Sequence, residues 1–222
     1  MVSNILTKLQ TTSKLKYNLF EMTGVLFLDL EKICGQLAKE INEDNTEGNQ
    51  IPVKIERTNA FEFVFRIGGD TLLFILQSNI VRLPDENYLS KSKYLKDDVT
   101  LRYFGQILIY NFLSDTIDFG RLDDPGYLIG RVLLNRENKF FLEGDRKIVF
   151  NFPELKENPV NPEKMRDFVE QLVVSALDND LLAPAFTDIM VITFRQKIEH
   201  ISGLGNPQKI GFDFFAKNKE KG

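Results

Sequence analysis

Residues 61–76 read FEFVFRIGGDTLLFIL, two strand-like runs joined by a pair of glycines. Phe61, Phe63 and Phe65 alternate with other residues in the first run, which is the period of a strand with one buried face. The glycines at 68–69 allow the positive φ angles that a tight hairpin turn needs. The second run is apolar at almost every position and predicts a central strand covered on both faces. The stretch therefore predicts an antiparallel hairpin inside a sheet.

The same kind of pattern continues on both sides of this hairpin and covers residues 51–152. It predicts an antiparallel meander of about six or seven strands, which is a usual size for a sheet. Gly105 interrupts one of the runs and is predicted to mark a β-bulge. The runs outside the hairpin lie at residues 51–55, 101–112, 127–134, 139–142 and 147–152.

A long helix is predicted before the sheet. Apolar residues recur at helical spacing over 19–41 and form one broad face. Asn18 and Glu21 have the spacing of a capping box, so the helix is predicted to begin at Asn18. The polar residues that follow predict its end within 42–45.

Two further helices are predicted after the sheet. Asn161 is a favourable N-cap with Pro162 at the first helical position, and the residues that follow have the spacing of an amphipathic helix. Residues 184–201 are predicted to form another helix, which ends at Gly203. We therefore predict an α+β fold in a single domain, 1–222. It consists of a helical N-terminal region at 1–50, an antiparallel sheet at 51–152, two helices at 160–203 and a C-terminal tail at 204–222.

The composition predicts a soluble cytoplasmic protein. The chain has 222 residues and a formal net charge of −4, which makes nucleic acid an unlikely partner. Cys34 is the only cysteine, so no intramolecular disulfide is possible and a reducing compartment is expected. Residues 1–19 lack the apolar core of a signal peptide. No apolar run approaches the roughly 20 residues that span a bilayer, so no membrane association is predicted.

The residue inventory offers few groups for catalysis. His200 is the only histidine, and its position in a last helical turn is explained by the favourable interaction of a cation with a helix C-terminus. One histidine and one cysteine cannot supply a structural zinc site. We therefore predict no catalytic residue, no metal site and no cofactor. The inventory favours a non-enzymatic protein over an enzyme.

The densest acidic group surrounds Arg121. Carboxylates suit hard cations such as Mg²⁺, but Asp-Asp-Pro-Gly is also ordinary turn chemistry, and we predict a solvated turn. The alternative is a carboxylate- or metal-dependent enzyme that acts on a phosphorylated substrate with the help of Arg121 and Arg131. The acidic residues of the group are Asp115, Asp118, Asp123 and Asp124.

A candidate ligand-binding loop lies within residues 84–98. Its lysines are interleaved with tyrosines, the composition of a surface that binds phosphates or single-stranded nucleic acid. A loop of about 15 residues is also longer than a simple connection needs. The alternative is a solvated excursion whose charges are balanced by nearby carboxylates. The candidate ligand-binding residues are Tyr88, Lys91, Lys93, Tyr94 and Lys96, together with Arg121.

The C-terminal tail is a candidate partner-binding segment. Phe212, Phe214 and Phe215 suit strand addition to a partner's sheet or to the chain's own sheet. With the doubly apolar strand at 71–76, they predict a non-enzymatic binding or adaptor protein that acts through a protein partner, as a homodimer. The alternatives are a sensor that binds a nucleotide or single-stranded nucleic acid through the loop at 88–96, and the carboxylate enzyme. A cleft shared by that loop and the acidic group would favour the alternatives.

Overall fold

The computed structural model describes residues 2–45, 51, 53–122, 124–144 and 154–178. Within them, helices precede and follow an antiparallel sheet, so the α+β prediction is confirmed. The helices are α1 (Val2–Lys8), α2 (Lys14–Asp44), α3 (Lys93–Asp97), α4 (Ser114–Asp118) and α5 (Pro162–Leu177). The strands are β1 (Val53–Asn59), β2 (Glu62–Ile67), β3 (Asp70–Leu76), β4 (Val81–Arg82), β5 (Tyr103–Leu113), β6 (Tyr127–Leu134) and β7 (Phe140–Gly144).

The sheet is the predicted meander. Its strand order is β1-β2-β3-β5-β6-β7, with the short β4 paired to the first residues of β5, and every pairing is antiparallel. Gly68 has a φ of 59° in the turn between β2 and β3, a conformation that glycine adopts without steric cost. The register places Phe63 opposite Phe74, so the side chains of both lie on the same face.

One face of the sheet is covered by α2 and α5. Phe27 of α2 lies against Phe63 of the sheet with ring centroids 5.0 Å apart, and Phe63 stacks on Phe74 with centroids 4.4 Å apart. Phe168 and Leu172 of α5 complete the same buried cluster. Each such side chain contributes about 1.5–3 kcal/mol when it is fully removed from water, so this face holds most of the core.

The opposite face is covered unevenly. Leu133 and Phe141 are buried there beneath residues 83–101, which form a second cluster with them. On β3, by contrast, Leu73 and Ile75 point to this face and are only half-buried. The cover that was predicted for both faces of β3 is therefore complete on the helical side and partial on the other.

The N-terminal helix begins earlier than the sequence predicted. α1, a π-helical turn over Leu9–Ser13 and α2 follow one another without a break across 2–44, and the backbone is helical at Lys8 where they join. Asn18 lies inside this helix, so the predicted capping box was wrong. Backbone N–H groups inside a helix already have partners one turn earlier, and a cap has nothing to satisfy. The predicted end within 42–45 is confirmed.

Gly105 marks a close contact between a helix and the sheet, and the predicted bulge was wrong. It lies in regular pairing with β6, and the register shift falls between Ile109 and Tyr110. A Cβ on Gly105 would lie 1.8 Å from the Thr23 Oγ1 of α2. The Thr23 hydroxyl donates to the Leu19 carbonyl oxygen at 2.6 Å, which holds it in place. Only glycine lets α2 approach β5 this closely.

We expect Gly105→Ala to lower the free energy of unfolding by about 1–3 kcal/mol, the usual cost of overpacking, because α2 must move away from β5. Thr23→Gly in the same chain removes the atoms that clash and should restore part of the loss. Gly69→Ala is the matched control, since no atom lies within 4 Å of a Cβ built there. Urea unfolding followed by circular dichroism measures all three. Equal losses for the two alanine variants would contradict this explanation.

The cap of α5 is confirmed. The Asn161 side chain accepts a hydrogen bond from the Lys164 backbone N–H at 2.8 Å, and Pro162 occupies the first turn. The predicted strand at 147–152 and the predicted helix at 184–201 lie outside the described residues.

Candidate functional site

The candidate ligand-binding loop folds into short helical turns. Two of them are 3₁₀ turns, Tyr88–Lys91 and Val99–Arg102, and α3 lies between them. Each turn begins at an Asn, Ser or Asp residue, the types that are preferred as N-caps, so the loop's own sequence specifies these turns. The caps are Asn87, Ser92 and Asp98, which accept hydrogen bonds from the backbone N–H groups of Leu89, Leu95 and Thr100.

The inner side of the loop packs on the sheet. Leu89, Leu95 and Leu101 join Phe104 and Phe141 in the second buried cluster. Leu95 has no exposed surface. A loop anchored by several buried leucines covers the sheet permanently, so its burial argues against a movable lid.

The outer side of the loop borders a cleft of about 940 Å³. Tyr88, Lys91, Lys93 and Tyr94 line it as the sequence grouped them, and Lys96 does not. Among the described residues, three lysines and four carboxylates line the cleft, so this part of its wall carries no excess of positive charge. Binding to a phosphate backbone depends mainly on such an excess. The charge of the cleft therefore does not favour a nucleic acid.

Tyr94 is engaged by its neighbours. Its hydroxyl donates to Glu137 Oε2 at 2.8 Å and accepts from Asn135 Nδ2 at 2.9 Å. Lys139 Nζ lies 4.7 Å from the centre of the ring. Burial, together with the bond to Glu137, raises the pKa of Tyr94 to about 12, so the hydroxyl stays protonated at neutral pH. Tyr88, in contrast, is 66% exposed. Only one of the two tyrosines presents a largely open side chain to the cleft.

The acidic group forms a turn tied together by its own side chains. Asp124 accepts a hydrogen bond from Thr116 Oγ1 at 2.7 Å. The guanidinium nitrogens of Arg121 lie 3.8 Å from a carboxylate oxygen of Asp115 and 3.7 Å from one of Asp124. Across the described part of the chain, no group of three His, Cys, Asp or Glu residues is arranged to hold a metal ion. Asp123 lies outside that part.

The remaining charged residues of the enzyme hypothesis form ion pairs with residues of the sheet. Asp118 forms an ion pair with Arg66 of β2. Arg131 of β6 forms one with Glu143 of β7. These arginines are therefore engaged by carboxylates of the protein itself, and a phosphorylated substrate would have to compete with those carboxylates.

The loop and the acidic group lie at opposite ends of β5. The last turn of the loop ends at Arg102, immediately before the strand, and α4 begins at Ser114, immediately after it. The strand of 11 residues is about 36 Å long at about 3.3 Å per residue. Arg121 is thus remote from the four predicted ligand-binding residues that line the cleft. Among the described residues, the lining of the cleft beside the loop includes no member of the acidic group.

The only cysteine is not placed for nucleophilic chemistry. Cys34 is buried between α2 and the sheet. Burial, with the nearby Glu31 carboxylate as a second cause, raises the pKa of its thiol well above the usual range. A thiol is the poorer nucleophile of the two protonation states, so Cys34 has a structural role.

An apolar stripe that was not predicted from the sequence lies on the solvent side of the N-terminal helix. Its side chains are between 46% and 70% exposed. From Val2 to Leu9 they recur at the i, i+3, i+4, i+7 spacing of an amphipathic helix, which is a signal from which the stripe could have been predicted. We call these residues the outer stripe: Val2, Ile5, Leu6, Leu9, Tyr17, Val25 and Leu28.

The predicted partner-binding phenylalanines, Phe212, Phe214 and Phe215, lie outside the described residues, as does His200. Their role stays a prediction.

Comparisons with known proteins found no match to this chain among protein-family models, curated proteins or solved structures. Among the described residues, no helix combines the length and the apolar character needed to cross a membrane.

Proposed function

We propose that this protein is a non-enzymatic binding or adaptor protein that acts through a protein partner. The observation that carries the proposal is the outer stripe, seven large apolar side chains exposed along one side of a single helix. Scattered apolar residues are normal on a surface, but an aligned set marks a site of interaction. A helix that presents such a stripe is a common element of protein recognition.

The distribution of polar chemistry also supports binding over catalysis. The loop ends at Arg102, where β5 begins, the acidic group begins after Ser114, where β5 ends, and this strand is about 36 Å long. A catalytic site would need its acid, base and substrate-binding groups within a few ångströms of one another. The sensor hypothesis depends on Tyr94, whose hydroxyl is already hydrogen-bonded to Glu137. The carboxylate-enzyme hypothesis depends on Arg131, which already forms an ion pair with Glu143.

The proposal predicts that capture of a partner depends on the outer stripe. Tagged wild-type protein and the Leu6→Asp variant are each exposed to a lysate of the cells that make the protein, and retained proteins are quantified by mass spectrometry. We expect at least one specifically retained protein, with retention at least about tenfold lower for Leu6→Asp, because an aspartate in an apolar contact is costly to bury.

Leu122→Asp is the matched control for that experiment. Leu122 is 96% exposed and lies in the turn after α4, which is not part of the outer stripe, so the same substitution there should leave retention unchanged. Circular dichroism of all three proteins checks that the fold is kept. Retention that is identical for wild type and Leu6→Asp would overturn the proposal.

A further inference from the structure

The cleft beside the candidate ligand-binding loop has an apolar floor. Leu89, Leu101 and Leu155 line it and also belong to the second buried cluster, where each is at most 8% exposed. Tyr88 lines it as well and is 66% exposed, and its ring contacts Phe141 edge-on with the centroids 6.2 Å apart. The volume of about 940 Å³ is within the range of small-molecule sites. The cleft therefore suits the apolar body of a small organic molecule.

Two of the four carboxylates that line the cleft are already balanced by cations of the protein. Glu137 lies 3.4 Å from Lys139 Nζ and accepts the hydrogen bond of the Tyr94 hydroxyl. Asp98 forms an ion pair with Arg136. Lys139 and Arg136 are not themselves part of the described lining. A count of the lining residues alone therefore overstates the negative charge that a ligand meets.

The three lysines of the cleft are not balanced in this way. Among the ion pairs of the described residues, none includes Lys91, Lys93 or Lys156, and none includes the two remaining carboxylates, Asp97 and Glu154. Three positive and two negative side chains thus face the cleft without a partner, which leaves one positive charge in excess. This excess suits one anionic group, whereas a ligand with several charges would be repelled by the two free carboxylates.

We propose that the cleft binds a small organic anion that combines one anionic group with an apolar or aromatic body. The free lysines attract the anionic group, and Tyr88 and the leucines of the floor contact the body. Nucleotides do not fit this description, since they carry several negative charges. The loop is held by buried leucines, so the site is formed before the ligand arrives and little ordering is needed. The site does not rest on the proposed function, because no residue of the outer stripe is part of the described lining.

Fluorescence titration of the purified full chain with anilinonaphthalene sulfonate tests the proposal. This dye carries one sulfonate on an aromatic body, and phenylnaphthylamine has the same body without the sulfonate. We expect the anionic dye to bind with a dissociation constant at least about fivefold lower than that of the neutral dye, an effect about as large as one well-formed exposed ion pair. Equal dissociation constants would overturn the anion as the ligand class.

Reversal of single lysine charges locates the anionic group. Lys93→Glu and Lys156→Glu should each raise the dissociation constant of the anionic dye at least about threefold and leave that of the neutral dye nearly unchanged. Lys96→Glu is the matched control, since Lys96 lies in the same loop but does not line the cleft. Equal effects of Lys93→Glu and Lys96→Glu would reduce the result to the overall charge of the protein and overturn the site. Circular dichroism checks that each variant is folded.

Removal of a free carboxylate should have the opposite effect. Glu154→Gln is expected to lower the dissociation constant of the anionic dye about two- to threefold, because a repulsive charge is lost. Damage to the fold would weaken binding, so a gain in affinity cannot come from that cause. Tyr88→Ala should weaken both dyes, since the aromatic body loses its contact. Weaker binding of the anionic dye to Glu154→Gln would contradict the charge assignment.

Other binding modes give different results. Loss of dye binding in Leu6→Asp would place the dye on the outer stripe and overturn the inference. Naphthalene carboxylate should displace the dye, and the peptide acetyl-Ala-Phe-Glu-amide, with the same charge and an aromatic side chain, should be a weaker competitor because a flexible peptide loses more freedom when it binds. Displacement by the peptide alone would assign the cleft to a segment of a partner protein and overturn the small ligand.

Discussion

Phe63→Ala is expected to lower the free energy of unfolding by about 3–5 kcal/mol, the usual cost of removing a buried phenylalanine ring. The side chain has no exposed surface and stacks on Phe74 with the ring centroids 4.4 Å apart. Phe27 of α2 contacts it from the helical side at 5.0 Å. Its removal leaves a cavity where the helix meets the central hairpin, and these rigid elements cannot close it.

Phe61→Ala is the matched control for Phe63→Ala. Phe61 is two residues earlier in the same run but is 45% exposed at the end of the hairpin, so its loss should cost less than about 1 kcal/mol. Urea unfolding followed by circular dichroism measures both variants. A Phe63→Ala loss no larger than that of Phe61→Ala would show that the hairpin is not the centre of the core.

Leu172→Ala is expected to lower the free energy of unfolding by about 2–5 kcal/mol. Leu172 of α5 has no exposed surface, and its Cδ2 lies 3.2 Å from the position that a Cβ on Gly130 would occupy. The leucine thus fills the space that the glycine leaves on β6. A shorter side chain would leave that space empty.

Val174→Ala on the same helix is the control for Leu172→Ala. Val174 is 56% exposed, so its truncation should change stability by no more than about 0.5 kcal/mol. Thermal unfolding of both variants provides the comparison. A loss below about 0.5 kcal/mol for Leu172→Ala would mean that α5 packs through a different face.

Much of the fold was predictable because the signals that specify it are local. The alternation in 61–76 predicted β2, β3 and the turn between them, and the same period predicted the antiparallel order of the sheet. Asn161 predicted the start of α5 because an N-cap bonds a backbone N–H only three residues away, here that of Lys164. The spacing of apolar residues predicted the buried face of α2 in the same way.

The candidate site was only partly predictable. The loop residues that line the cleft were identified by composition, but the carboxylates that balance them come from several segments, including Glu137 and Glu154. The outer stripe carried a helical spacing in α1 that sequence analysis did not use, because the false cap at Asn18 separated it from the long helix.

The sequence by itself determined the long strands, their antiparallel order and the buried faces of α2 and α5, since side-chain periods of two and 3.6 are read along the chain. Only the tertiary structure decided what distant residues do to one another. Gly105 is needed because Thr23 of a helix lies against it, and the loop and the acidic group lie at opposite ends of β5. Such distances depend on how elements pack, and no local pattern encodes them.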